Sequence, residues 1–274
     1  MSAIPFVKMH GAGNDFVFID QHDLPDHAIL NREQVAAICD RRLGIGSDGL
    51  IIIGPGREGV SDFRMNYYNA DGGEADMCGN GARCSVSFAH AKKMISGRCV
   101  FDTKVGLLTG LVHASDDITV SLTGWQDLNL DVDVSGSPWQ QHCTCDTGVP
   151  HLIMPVPDIE DVDLNRWGSE FRHHPQFAPA GVNVNWVQLD SKTGEVLLRT
   201  YERGVEGETL ACGTGASAVA VVLCQLEQVQ SPVKVRTRGG DLLTIAVDLK
   251  KEELWLRGPA VTSFHGTISQ EQIR

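Results

Sequence analysis

The sequence has no apolar segment approaching the ~20 residues that a membrane-spanning helix requires, and it has no excess of basic residues. Its 23 Lys and Arg stand against 35 Asp and Glu, which gives a formal net charge of -12 at pH 7. A surface of that sign repels phosphate backbones and anionic lipid headgroups, so we expect no nucleic-acid partner and no membrane partner. The first residues also lack a charged segment followed by a long apolar stretch, the pattern of a secretory signal. These absences predict a soluble, cytoplasmic protein.

Motifs for common cofactors and for redox chemistry are absent as well. GAGNDF lacks the third glycine of the dinucleotide fingerprint, no GxxxxGK[ST] loop is present, and the eight cysteines form no C-x-x-C pair. Cys143 and Cys145 have no second Cys or His pair at zinc-finger spacing, and their neighbours predict a strand with one thiol on each face. We therefore expect no metal site and no cofactor.

Three other cysteines are predicted to lie in the core. Cys39 belongs to NREQVAAICDR, a helical pattern in which Asn31 is the N-cap and Gln34 completes a capping box. Cys224 lies in the apolar run ASAVAVVLCQL, and Cys84 lies inside another helical segment. Free cysteine is among the residues most often buried, so packing is the expected role of these thiols.

The 274-residue chain repeats itself. MCGNGARC and ACGTGASA align Cys78 with Cys212 at a spacing of 134 residues. The same spacing holds without a gap from the pair Tyr67 and Tyr201 to the pair Gly124 and Gly258. A period of this size indicates two copies of one domain rather than a solenoid of short repeats.

Each copy shows the same order of elements: an alternating strand, a glycine-rich loop, a helix, and further strands. This order predicts the α+β class, with two pseudo-symmetric domains that each pack mostly antiparallel strands on a helix. We place the crossover near Gly124, so that residues 1–123 form one domain and residues 124–259 the other. The tail, residues 260–274, is predicted to return to the first domain.

The two repeated cysteines precede Gly-x-Gly-Ala and an apolar helix. A thiol at that position lies near the positive end of the helix dipole, which favours the thiolate. The first N–H groups of the helix suit an anion such as a carboxylate. If both loops serve one ligand, Cys78 and Cys212 supply the two opposed bases that a racemase needs at a carbon next to a carboxylate.

The motifs HGAGNDF, NADGGEADMCGNGARC, GVPHLI, GVNVNWV and YERGVEGETLACGTGA resemble those of the diaminopimelate epimerases, over essentially the whole chain. The resemblance implies two barrel-like domains, each with a sheet around a central helix, and an active site between them. It also implies a cofactor-independent enzyme that interconverts LL- and meso-diaminopimelate in lysine and peptidoglycan precursor biosynthesis. A homodimer is compatible with the sequence, which does not fix the oligomeric state.

The resemblance also assigns roles to individual residues. It makes Cys78 and Cys212 the acid–base pair, and His151 and Glu202 the residues that contact the α-amino group and support the bases. Substrate contacts are expected from eight residues: Asn14, Asn69, Gly79, Asn80, Asn183, Arg203, Gly213 and Thr214. Of these, the backbones of the glycine loops would hold the α-carboxylate, and Arg203 would face the distal carboxylate, which suits its planar fork.

Two positions depart from the family pattern. Val149 stands where many members have asparagine, and Gly49 stands where many have glutamine. A racemase of another amino acid therefore stays an alternative on the same fold, although Arg203 favours a dicarboxylate. A thiol–disulfide oxidoreductase and a binding protein without chemistry are two further alternatives. The absence of C-x-x-C and of a thioredoxin-like pattern argues against the oxidoreductase. The appearance of solvent deuterium at the α-carbon of diaminopimelate would separate the epimerase from the binding protein.

Overall fold

The structure is a computed structural model, and it describes residues 3–25 and 30–269. These residues form seventeen β-strands and four α-helices. The strands are β1 Ala3–Gly11, β2 Asn14–Asp20, β3 Gly49–Pro55, β4 Phe63–Asn69, β5 Arg98–Thr103, β6 Gly106–Ala114, β7 Asp117–Leu122, β8 Gln126–Asn129, β9 Cys143–Asp146, β10 Pro150–Pro155, β11 Asn183–Leu189, β12 Val196–Glu202, β13 Gly207–Thr209, β14 Val233–Arg236, β15 Leu242–Asp248, β16 Glu253–Pro259 and β17 Val261–Ser269. The helices are α1 Arg32–Cys39, α2 Gly79–Ala91, α3 Leu164–Arg172 and α4 Gly213–Gln225.

The chain divides into two compact units. The first unit comprises Met1–Val120 and Gly258–Arg274, and the second comprises Ser121–Arg257. In the first unit, β17 pairs antiparallel with β1, so the C-terminal strand completes the sheet that the N-terminal strand begins.

In the first unit the central strands β2 and β3 are buried on both faces of the sheet. Helix α2 packs against β1, β2, β3, β4 and β6, and every residue from Gly79 to Ala89 is buried. On β2, Phe18 stacks on Phe88 of this helix with ring centroids 5.4 Å apart. The alternate residues Val17 and Ile19 instead join the cluster that α1 closes with Val35 and Ile38. Burial on both faces explains why β2 reads as a continuous apolar run rather than as an alternation.

The second unit repeats this arrangement. Helix α4 packs against β9, β10, β11, β14 and β15, and it is buried from Gly215 to Cys224. On β11, Val184 and Trp186 face a separate cluster that includes Phe171 of α3. The alternate residues Asn183 and Asn185 therefore lie on the face of the sheet that carries α4.

These observations confirm the predicted α+β class, in which mostly antiparallel strands surround one buried helix per unit. One local prediction is wrong. Cys143 and Cys145 do lie on a strand, β9, but both thiols are on its buried side, with Thr144 and Asp146 on the other. Residues two apart on a strand share a face, so a C-x-C pair cannot divide its thiols between faces. No helix among the described residues is long and apolar enough to cross a membrane.

Candidate active site

Cys78 begins the central helix of the first unit. It is the N-cap of α2, and its Sγ accepts a hydrogen bond from the backbone N–H of Gly81 at 3.5 Å. A Cβ at position 81 would lie 2.8 Å from Cδ1 of Ile51 on β3, so the backbone there packs closely on the strand. The helix start is thus pressed directly against the sheet, which fixes the position of the thiol.

Asn14, Cys78 and Asn80 form one polar cluster at this helix start. The Asn14 amide donates to Asp48 at 2.7 Å, which turns its carbonyl oxygen toward the cysteine. That oxygen lies 3.4 Å from Cys78 Sγ and accepts a bond from Asn80 Nδ2 at 3.3 Å. A carbonyl oxygen can only accept, so this arrangement fits Cys78 as a protonated thiol.

Arg83 supports the same loop from inside the protein, and sequence reasoning missed it. The side chain is fully buried and donates to Asn80 Oδ1 at 2.9 Å and to the carbonyl oxygens of Gly79 and Pro259, each at 3.3 Å. A buried guanidinium needs such partners because each donor left unpaired is costly. The signal in the sequence is a single arginine within the helical segment GARCSVSFAHA, which has no acidic residue to pair with it.

Asn69 lies at the end of β4, exposed, and its Oδ1 accepts a bond from the Tyr67 hydroxyl at 3.1 Å. Both side chains share the face of the sheet that carries α2, because they follow Met65, which contacts the position of Gly81. Gly49 pairs directly with Asn69. A Cβ at position 49 would lie 2.5 Å from the Tyr68 carbonyl oxygen and 2.7 Å from Tyr67 Cε2. The backbone and Tyr67 therefore leave no room for a side chain at position 49.

Cys212 occupies the equivalent position in the second unit. It is the N-cap of α4, exactly 134 residues after Cys78, and its Sγ accepts from the Gly215 N–H at 3.4 Å. The Thr214 hydroxyl lies 3.4 Å from the same sulfur, and the backbone carbonyl of Thr214 accepts from the Thr147 hydroxyl at 2.9 Å. Gly213 is buried at the first helical position. The two helix starts thus share their backbone plan and differ in the side chains around the sulfur.

His151 lies fully buried on β10. Burial, and secondarily the positive charge of Arg203, lower the pKa of the imidazole to about 3, so the ring is neutral at physiological pH. Nδ1 lies 3.1 Å from the Asn185 amide nitrogen, whereas Nε2 has no hydrogen-bond partner among the described residues. Asn185 is a second residue that sequence reasoning missed. Its signal is the pattern VNVNW, which places Asn183 and Asn185 on one face of a strand.

The residues predicted to grip the far end of a substrate lie at the end of β12 and beside it. Asn183 is buried, and its amide is occupied by the backbone: Oδ1 accepts from the Arg203 N–H at 2.8 Å, and Nδ2 donates to the Pro150 carbonyl at 3.4 Å. Glu202 accepts from the Thr209 hydroxyl at 2.9 Å. No carboxylate of residues 3–25 and 30–269 forms an ion pair with the half-buried Arg203 guanidinium. Because Asn183 accepts the hydrogen bond of the Arg203 N–H, it fixes the backbone from which the Arg203 side chain projects.

The cysteines predicted to be structural lie on the helices α1, α2 and α4. Cys39, Cys84 and Cys224 all lie in the core, which confirms the prediction. Burial raises the pKa of the Cys84 thiol to about 12, even though Arg83 is adjacent. A thiol with so high a pKa stays protonated and unreactive at neutral pH.

A family model and individual relatives of known name both match this chain, and they carry the same name. A family model described as diaminopimelate epimerase matches residues 6–126 and 143–263. The chain is 37% identical to the diaminopimelate epimerase of Aquifex aeolicus (strain VF5), over 97% of this chain and 98% of that protein. It is 38% identical to the diaminopimelate epimerase of Chlorobaculum tepidum, over 95% of this chain and 100% of that protein.

Solved structures show the same fold at low sequence identity. A PhzF-family phenazine biosynthesis protein of Bacillus anthracis superposes with a TM-score of 0.74 at 16% identity, over 98% of this chain and 100% of that one. A hydroxyproline epimerase of Agrobacterium vitis superposes with a TM-score of 0.72 at 15% identity, over 98% of this chain and 91% of that one.

Proposed function

The chain belongs to the diaminopimelate epimerase family, and we propose that it interconverts LL- and meso-diaminopimelate by two-base proton transfer at the α-carbon. The observation that carries this proposal is the pair of cysteines at equivalent N-cap positions of α2 and α4. A duplicated acid–base group suits a reaction that removes a proton from one side of a carbon and returns one from the other. Neither transfer calls on a cofactor.

In the proposed reaction the thiolate of one cysteine takes the α-hydrogen as a proton. The electron pair of the broken C–H bond moves onto the α-carbon and its carboxylate. The thiol of the other cysteine then gives its proton to the opposite side of the carbon, so that thiol and thiolate exchange places. The contact between Cys78 Sγ and the Asn14 carbonyl oxygen supports Cys78 as the resting thiol, and the Thr214 hydroxyl beside Cys212 is a suitable donor to a thiolate.

We assign the α-carboxylate to the two helix starts. The backbones of Gly79 and Asn80 in the first unit, and of Gly213 and Thr214 in the second, lie at the positive ends of α2 and α4. These N–H groups would stabilise the negative charge that develops on the carboxylate during proton removal. Because the fold holds them in position before the reaction, they lower the barrier without reorganisation.

We assign the distal end of the substrate to Asn69 and Arg203, with Asn183 holding the Arg203 backbone. Asn14, which lies against Cys78 Sγ, is assigned as a substrate contact beside the reacting centre. A guanidinium without an ion-pair partner among the described residues suits a second carboxylate. We keep His151 and Glu202 as supporting residues close to the reacting centre.

A second candidate is a racemase of another amino acid on the same fold. Val149 has no polar group to recognise a distal ammonium, and position 49 has no room for the side chain that many family members carry there. Both differences concern substrate selection and leave the cysteines unaffected.

One experiment tests the proposal. The protein is incubated with LL-diaminopimelate in D2O, and the isomers are separated and analysed by mass spectrometry during the first turnovers. A two-base enzyme places deuterium in the meso product while the remaining LL substrate keeps its original hydrogen. No conversion of diaminopimelate, together with exchange of another amino acid in a parallel screen, would establish the second candidate instead.

A further inference from the structure

The inference starts from the hydrogen bonds of Asn185, which is fully buried on β11. Its Nδ2 lies 3.0 Å from the Leu152 carbonyl oxygen and 3.1 Å from His151 Nδ1. Its Oδ1 lies 2.9 Å from the Thr200 hydroxyl. A backbone carbonyl can only accept a hydrogen bond, so the group facing Leu152 and His151 must be the NH2 group of the amide.

This orientation determines the state of the imidazole. The NH2 group has only donors, so His151 Nδ1 must be the unprotonated, accepting nitrogen. The single proton of a neutral imidazole then lies on Nε2. Nε2 is buried, and no acceptor among the described residues lies within hydrogen-bond distance of it. The Nε2–H group is therefore available to donate to a bound group.

The same asparagine also contacts the loop of Cys212. A Cβ on Gly215 would lie 2.6 Å from Asn185 Oδ1 and 3.3 Å from Cys212 Sγ. Asn185 Oδ1 and Cys212 Sγ are therefore both close to Gly215, and the asparagine that bonds His151 lies beside the second helix start.

We infer that Asn185 is a positioning residue that holds His151 in its Nε2–H tautomer, so that His151 donates a hydrogen bond to an anion at the Cys212 loop. This inference rests on the proposed function for the identity of the anion, which is either the substrate carboxylate or the Cys212 thiolate. It differs from the role that the family resemblance gives to His151. An Nε2–H group cannot accept a bond from the α-ammonium group, and it cannot act as a general base.

The tautomer is measured directly in the whole protein, without substrate. In long-range 1H–15N NMR of 15N-histidine-labelled protein, protonated and bare ring nitrogens have separate shifts. The His151 signals are assigned by their loss in His151→Gln. We expect Nε2 protonated and Nδ1 bare at pH 7, and the opposite pattern would overturn the inference whatever the enzyme turns over.

Two variants test whether Asn185 sets this state. Asn185→Asp presents an acceptor of the same size, and we expect the His151 proton to move to Nδ1 and kcat to fall by about 10²–10³-fold, as for loss of one preorganised donor. Thr200→Val is the matched control: it removes the hydroxyl bonded to Asn185 Oδ1 but leaves the NH2 group facing His151, so the tautomer should persist. If Asn185→Asp keeps the Nε2–H form, or if Thr200→Val loses it, Asn185 is not the determinant.

Two further measurements identify the anion. If Nε2–H donates to the thiolate, its proton shift changes in Cys212→Ser without any ligand. If it donates to the substrate, the shift changes only when diaminopimelate is added, for which the Cys78→Ala protein is used to prevent turnover. A shift that responds to neither change would overturn the donor role of His151, whereas failure of the D2O experiment alone would overturn only the substrate assignment.

Discussion

His151 makes the stability of the second unit depend on pH. Burial, and to a lesser extent Arg203, lower the pKa of its imidazole to about 3 in the folded protein, against ~6.5 in an unfolded chain. The folded value is the lower one, so between these pH values the unfolded state binds a proton that the folded state does not. The stabilisation is complete above the unfolded pKa and is lost progressively as the pH falls below ~6.5.

The size of the effect follows from these two pKa values. Between pH 7.5 and pH 5.5, His151 alone should lower the free energy of unfolding by about 1 kcal/mol. Urea denaturation followed by tryptophan fluorescence measures this in the relevant part of the chain. The five tryptophans all belong to the second unit: Trp125, Trp139, Trp167, Trp186 and Trp255.

The comparison that isolates His151 uses His151→Asn, because the asparagine oxygen can still accept from Asn185. The variant will differ in absolute stability, so the quantity compared is the loss of unfolding free energy between the two pH values. This loss should be about 1 kcal/mol smaller in the variant, since the other histidines contribute equally to both proteins. An equal loss in both proteins would show that His151 titrates normally in the folded state, and the reasoning from burial would be refuted.

Three further outcomes are expected. Cys78→Ala and Cys212→Ala should each abolish conversion of LL- to meso-diaminopimelate in a coupled assay, because each removes one of two required bases; near-normal activity in either variant would contradict the two-base mechanism. Val149→Asn should lower KM by up to about tenfold with little change in kcat, the pattern of one added hydrogen bond made equally in ground and transition states; loss of turnover would instead indicate a differently shaped pocket and another substrate. Gly49→Ala should lower the free energy of unfolding by about 1–3 kcal/mol, because the added Cβ would overlap the Tyr68 carbonyl oxygen. The control Gly97→Ala, where the added Cβ meets open space, should have little effect, and equal stability of the two variants would contradict the crowding at position 49.

Local sequence signals predicted the elements that depend on local chemistry. The Asn31 and Gln34 capping box forms as expected at the start of α1, with both hydrogen bonds at 2.9 Å. The cysteines that precede each Gly-x-Gly-Ala are the N-caps of two buried helices of equal length. Capping and glycine-loop geometry are set within a few residues of the chain, so a short motif contains the information needed to predict them.

The site residues that sequence reasoning missed depend on contacts between distant segments. Asn185 is defined by His151, 34 residues before it, and by the approach of Gly215 from α4. Arg83 has a partner at Pro259, 176 residues away along the chain. The absence of space at position 49 comes from Tyr67 and Tyr68 on the neighbouring strand. Such relations exist only once the sheet has formed, and a single sequence does not record which strands pair.

The two units have kept the same backbone plan around their cysteines while their side chains have diverged. Asn80 in the first unit corresponds to Thr214 in the second, and buried Arg83 corresponds to Ser217, whose hydroxyl only bonds back to Gly213 in its own helix. Cys78 lies against the amide oxygen of Asn14, which also accepts from Asn80 and suits a thiol, whereas Cys212 lies beside the Thr214 hydroxyl, which can donate to a thiolate. The proposed two-base reaction requires two sulfurs that differ in protonation at every instant. The side chains around Cys78 suit a thiol and those around Cys212 suit a thiolate, so their divergence supports the proposal that one repeated motif supplies both an acid and a base.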